Sequence, residues 1–319
     1  MKNLTAIFSC LFVICIWSNV QSQSFELTPR IPHYDATESH ITSKKVKTQV
    51  LKADSAHKSM QIIKFVSENT YKIDYKLGIY TSTVYSDRFY KIKIDAFGNF
   101  IFGGSKGYGT NDGDAIIYKY DSAGNFKWVN IPAESSGFDE IYGIETDALG
   151  NVYITGRYYS SAFNSSLASR GGADIFVAKY DPDGTLLWAR SAGGSDSDYG
   201  SDVTVDDLGN VYVMGFFKGI SNWSGISKTS STQGDMFIAK YDNEGNIKWV
   251  RTGDGVSYNY LYEISVDKSG NSYVSANFSN TMQFEGAPVV TSVGGTDIFI
   301  IKYDTNGNYN WIKTAGGVS

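Results

Sequence analysis

Four tryptophans, Trp128, Trp188, Trp249 and Trp311, stand 60, 61 and 62 residues apart in this 319-residue chain, and the sequence around each is nearly the same. A period of that length means one supersecondary unit written four times, each burying a face against its neighbour. Two phrases alternate within the period. The first reads IDAFGNFIFGG from Ile94, TDALGNVYITG from Thr146, VDDLGNVYVMG from Val205 and VDKSGNSYVSA from Val266. The second reads DAIIYKYDSAGNFKW from Asp114, DIFVAKYDPDGTLLW from Asp174, DMFIAKYDNEGNIKW from Asp235 and DIFIIKYDTNGNYNW from Asp297.

Apolar residues alternate on either side of a DxxG core, as in Phe176, Ala178 and Tyr180 before one turn and Leu186 and Trp188 after it, so each phrase predicts a β-hairpin. The turns pair Asp95 with Gly98, Asp121 with Gly124, Asp147 with Gly150, Asp181 with Gly184, Asp206 with Gly209, Asp242 with Gly245, Asp267 with Gly270 and Asp304 with Gly307. Aspartate bonds backbone N–H groups two residues on, and glycine supplies the positive φ that a type I turn with a bulge needs. Two hairpins per period make a four-stranded antiparallel sheet, and radial repetition of such sheets is an all-β propeller. The expected blades run from about 88 to 130, 140 to 190, 200 to 251 and 260 to 315. In that arrangement the four tryptophans are core, packing one blade on the next.

These phrases resemble the bacterial SBBP β-propeller repeat, D-x-x-GN-x-Y-x-x-G followed after a loop by D-x-F-x-x-K-[YL]-[DN]-x-x-G-x-x-x-W, over residues 90 to 315. GNVYVxG is also similar to NHL repeats, and YDxxGxxxW to the tryptophan-docking repeat of quinoprotein propellers. The resemblance implies an extracellular or cell-surface propeller with no shared catalytic residue.

The N-terminus points the same way. Lys2, the apolar run Leu4 to Trp17 and the polar Ser18 to Ser22 predict a signal peptide over 1–22, cleaved before Gln23. Both cysteines, Cys10 and Cys15, fall inside it, so the mature chain has no thiol. Residues 23–60 are polar, contain all three histidines and are expected as a linker or arm. Residues 61–73 align without a gap on 116–128, which predicts an N-terminal half blade over 61–78. Four complete blades plus a half suggest a truncated ring, whose open blade edge would invite self-association.

Chemistry is thin. No histidine follows His57, which removes a serine or cysteine triad and the usual zinc site from the repeats. Acidic loops around Glu134, Asp139 and Glu140, and around Asp196, Asp198 and Asp202, leave a carboxylate-dependent glycan-cleaving enzyme as the alternative, with a quinoprotein beside it. The DxxG turns lack EF-hand spacing, so no cofactor is expected, calcium at a subset of loops being the other reading. The 33 acids outweigh 28 Lys and Arg, and loss of Lys2 with the signal brings the mature balance to 27 minus 33, or −6, so nucleic acid is not an expected partner. Variable loops on a rigid scaffold usually carry binding. Three of the connections between the two hairpins of a blade hold a mid-loop aromatic, Phe163, Trp223 or Phe284, placed either toward a ligand or back onto the blade. The sequence therefore predicts a secreted, non-enzymatic module or scaffold binding a protein or glycan at the cell surface.

Overall fold

The computed structural model describes residues 86–108, 112–134, 136–254 and 261–318, all within the second of the chain's two units, Val46–Ser319. The signal peptide, the polar arm and the expected half blade lie outside these residues.

The described residues are all-β, a partial β-propeller of four antiparallel blades. Blade 1 is β1 (Ser86–Ile94), β2 (Phe100–Tyr108), β3 (Asp112–Tyr120) and β4 (Phe126–Ala133), followed by the two-residue β5 (Gly137–Phe138), which pairs with β3. Blade 2 has β6 (Glu140–Thr146) and β7 (Val152–Tyr158), then a small hairpin of β8 (Ser161–Ala162) and β9 (Leu167–Ala168), then β10 (Asp174–Tyr180) and β11 (Leu186–Gly194). Blade 3 repeats the plan with β12 (Tyr199–Val205), β13 (Val211–Phe217), the hairpin β14 (Ile220–Trp223) and β15 (Ile226–Thr229), β16 (Asp235–Tyr241) and β17 (Ile247–Asp254). Blade 4 is β18 (Leu261–Val266), β19 (Ser272–Phe284), β20 (Val290–Tyr303) and β21 (Tyr309–Ala315), its middle hairpin being the far ends of two long strands. The first strands β1, β6, β12 and β18 lie against one another in succession and form the inner wall.

Each DxxG unit folds for local reasons. In all eight, the glycine has φ between +76° and +88° and its N–H donates to the aspartate carbonyl. The Asp95 carboxylate accepts the Phe97 and Asn99 N–H groups at 2.9 Å, with Asn99 Nδ2 on its other oxygen at 2.8 Å. The second hairpin of every blade also carries a register shift at its Lys-Tyr step, the bulge that joins such a turn to a twisted ladder.

Strand faces are apolar on both sides in the central blades. Every residue of β10 and of β16 is buried, charged ones included. Cluster cores fill the seams between blades 1 and 2, 2 and 3, and 3 and 4. At each seam a tryptophan of one blade docks over the turn glycine of the next: a Cβ added at Gly184, Gly245 or Gly307 would come within 2.8 Å of the ring of Trp128, Trp188 or Trp249. The indole N–H then donates to the carbonyl of Pro182 (3.0 Å), Asn243 (2.9 Å) or Thr305 (3.2 Å). Two residues on, Asn130, Arg190 and Arg251 donate to the carbonyls of those same glycines at 2.7–2.9 Å. Trp311 is half-buried against Tyr273 of its own blade.

Candidate functional site

Of the two placements open to the three loop aromatics, toward a ligand or back onto the blade, all three take the second and are core. Phe163 is 6% exposed, Trp223 1% and Phe284 1%. The connection that carries each one folds into a hairpin that reaches back over the preceding blade. Asn222 and Ser221 pair with Gly193 and Gly194 of β11, Phe284 and Gln283 pair with Gly253 and Asp254 of β17, and the Phe163 N–H donates to the Pro132 carbonyl at 2.5 Å. The ring then plugs the outer end of the seam, Trp223 between Phe217 and Phe237 at 5.3 and 5.2 Å and Phe284 against Phe299 at 5.4 Å. Burying such a ring is worth more than exposing it wherever a neighbouring sheet offers apolar surface.

Four of the acids on that side are likewise committed to structure. Asp139 accepts the Tyr159 N–H, and Asp198 accepts those of Lys218 and Gly194 at 2.8–2.9 Å. Asp202 pairs with Lys91 at 3.2 Å, while Glu140 is held by Tyr90, Tyr142 and Arg157. Among the described residues, no group of three or more His, Cys, Asp or Glu side chains is placed to hold a metal ion.

The opposite face, made by the DxxG turns, has different chemistry. The turns that join the first two strands of blades 1, 2 and 3 each place an apolar residue just before the glycine, and these stand in solvent: Phe97 64%, Leu149 73% and Leu208 81% exposed. They occupy one position in three consecutive blades, so they recur along an arc at blade spacing. The Phe97 ring leans on the turn of blade 2, within 2.9 Å of where a Gly150 Cβ would sit. Between the turns of blades 2 and 3 lies a groove of about 410 Å³ lined by Asp147, Leu149, Asn151, Lys179, Asp206, Asp207, Leu208 and Asn243, among others.

Below the turns, a buried polar rail ties the seams. Lys119 forms an ion pair with Asp95 at 3.0 Å and donates to the Pro182 carbonyl at 3.1 Å, Lys179 donates to Asn243 Oδ1, and Lys240 donates to the Thr305 carbonyl and hydroxyl at 2.9 and 2.7 Å. Blade 1 has Ile101 where the others have Tyr153, Tyr212 and Tyr273. Where the tyrosine is present its hydroxyl lies 2.9–3.1 Å from the turn carboxylate and the lysine sits over its ring at 5.0–5.2 Å; where it is absent the lysine takes the carboxylate directly. Burial pushes Lys179 and Lys240 below the usual lysine range. Asn271 and neighbouring N–H groups hold Asp267 down to about 2, and Asp242 is also at about 2, burial being outweighed by bonds from Lys248 and Asn246. Asp242 and Asp267 therefore keep their negative charge at neutral pH.

Residues 187–215, from the end of blade 2 into blade 3, match the family model SBBP, a β-propeller repeat. The propeller is 27% identical over 255 residues to an uncharacterized WD repeat-containing protein of Acanthamoeba polyphaga mimivirus, covering 64% of this chain and 18% of that relative. It is 28% identical over 143 residues to a regulatory protein, FlaEY, of Caulobacter vibrioides, covering 44% of this chain and 15% of the relative. The chain thus spans less than a fifth of either relative's length. Its repeat signature, D-x-x-G-N-x-Y and K-Y-D-x-x-G-x-x-x-W, consists of the groups that build the seam: the turn carboxylate, its asparagine clamp, the lysine rail, the positive-φ glycine and the docked indole.

The apolar turn residues are the feature that sequence reading passed over. Their signal was Phe97, Leu149 and Leu208 at turn tips where polar residues are usual; the matching turns in the second hairpins hold Ala123, Asp183, Glu244 and Asn306.

Proposed function

We propose that this propeller is a non-enzymatic protein-interaction module, secreted or held at the cell surface, which binds its partner on the DxxG turn face. The observation that carries the reading is the arc of Phe97, Leu149 and Leu208, large apolar side chains left in solvent beside a groove on an otherwise rigid scaffold. The WD-repeat and regulatory names of its relatives accord with an interaction role. A glycan-cleaving enzyme would need two acids free to act about 5–10 Å apart, whereas Asp139, Glu140, Asp198 and Asp202 are occupied as backbone caps or ion-pair partners.

A photo-reactive residue at position 208 in cells making the protein should give a discrete protein adduct, and the same group at position 220 on the β14–β15 hairpin should not. Adducts from position 220 alone would overturn this reading.

A second surface supports a scaffold role within a larger assembly. On blade 4, Ile298 and Ile300 are 49% and 44% exposed, whereas the matching residues Ile175, Val177, Met236 and Ile238 are covered by the next blade. Self-association through that face follows from an apolar sheet face left in water.

A further inference from the structure

We infer that the partner segment held on the turn face is a basic one carrying apolar side chains at intervals, an extended stretch in which leucine-like residues alternate with lysine or arginine. This rests on the turn-face reading above and gives it a ligand chemistry.

Charge supplies the first half of the argument. The eight DxxG turns contain their eight aspartates plus Asp183, Asp207 and Glu244, against Lys268 alone of basic type. Lys119, Lys179 and Lys240 are buried and engaged at the seams, so little of their charge is presented at the surface. Asp147, Asp206 and Asp207 stand along the groove together with Leu149 and Leu208. An anionic rim of this kind attracts cations and repels an acidic segment.

Geometry supplies the second half. A uniformly charged segment would leave Phe97, Leu149 and Leu208 in water, and a uniformly apolar one would bury the acidic rim with no opposite charge beside it. Only a segment that alternates the two satisfies both. Its apolar side chains enter between successive turn tips, above the buried Lys179, and its cations fall on the rim.

The test uses the chain with three fluorescent twelve-residue peptides, one alternating leucine and lysine, one alternating serine and lysine, and one alternating leucine and glutamate, read by anisotropy at low and at 0.3 M salt. The leucine–lysine peptide should bind at least about tenfold more tightly than the other two, with affinity falling as salt screens the rim. The Leu149→Ser, Leu208→Ser double variant should weaken it by about tenfold, through loss of apolar contact. The variant Asp207→Asn should reduce the salt dependence. The exposed Ile220→Ser change, away from the turns, should alter nothing. Equal binding of the leucine–glutamate peptide, or indifference to the double variant, overturns the assigned chemistry. If the adduct at position 208 persists in that case, the turn face still binds and only its ligand class is wrong; if the adduct is also absent, both readings fall.

Discussion

The glycines under the tryptophans carry two constraints at once, and a paired substitution separates them. Gly184 has φ +88° and the Trp128 ring against its open side, whereas Gly225 has φ +106° with nothing within 4 Å of where its Cβ would be. Gly225→Ala should cost about 1–3 kcal/mol for backbone strain alone. Gly184→Ala should cost more, because the indole must also move and surrender its bond to the Pro182 carbonyl; urea unfolding of the two variants decides it, and equal costs would show that the indole is not held. A second residue-scale prediction concerns pH. Burial pushes Asp198 to about 7, with neighbouring Asp174 adding to it, and burial pushes Asp174 to about 6. Both carboxylates converge on Gly193, and Asp174 is faced by the Arg170 N–H and guanidinium. Between the unfolded value near 4 and these raised values the folded chain binds more protons than the unfolded one, so stability should fall as pH rises from about 4 to 7 and stay low above. The melting temperature at pH 5 should exceed that at pH 8, and Asp174→Asn should narrow the gap, since it removes one of the two raised carboxylates. Equal melting temperatures at the two pH values, or a difference of opposite sign, would sink the account in which these buried carboxylates set the pH dependence.

At the scale of elements, the hairpins between the two halves of a blade decide how well the seams are sealed. Truncating Trp223 to alanine should cost about 3–5 kcal/mol by leaving a cavity between Phe217 and Phe237. Its indole N–H has no acceptor within reach, so Trp223→Phe should cost far less, and a comparable loss would mean that the nitrogen does have a partner. These elements also mark the boundary of what was legible beforehand. The DxxG turns, the strand phases and the docking of Trp128, Trp188 and Trp249 depend on chemistry local in sequence and on a strict period, and they could be read directly, whereas Trp311, expected to dock likewise, rests on its own blade. The destination of Phe163, Trp223 and Phe284 depends on pairing with the blade before, through strands as short as ISNW whose alternation is hidden among Ser, Asn and Gly. The proposed binding face escaped for the converse reason. The turns looked uniform, and exposure of their apolar tips follows from the blade packing rather than from the motif.

For the whole molecule, the uncovered face of blade 4 should show in solution behaviour. Replacing Ile298 and Ile300 with threonine should raise solubility and suppress concentration-dependent association in light scattering with little loss of stability, since the opposite face of β20, Phe299, Ile301 and Tyr303, carries the seam with blade 3. A marked drop in melting temperature would mean that the face is covered. Calcium added after chelation should move the melting temperature by less than about 3 °C, because the turn carboxylates are already satisfied by backbone N–H groups; a larger rise would indicate a filled site. The backward reach of each hairpin has a consequence for synthesis. A blade emerging from the ribosome has its own strands, yet the plug for its outer seam is encoded about half a repeat later and the glycine under its tryptophan about one repeat later. At ordinary elongation rates of about 5–20 residues per second, each blade waits roughly 3–12 s for the chain that completes it. During that interval its apolar face and edge strand stand open to any exposed strand nearby, so this chain solves in time a problem that its finished form has solved in space.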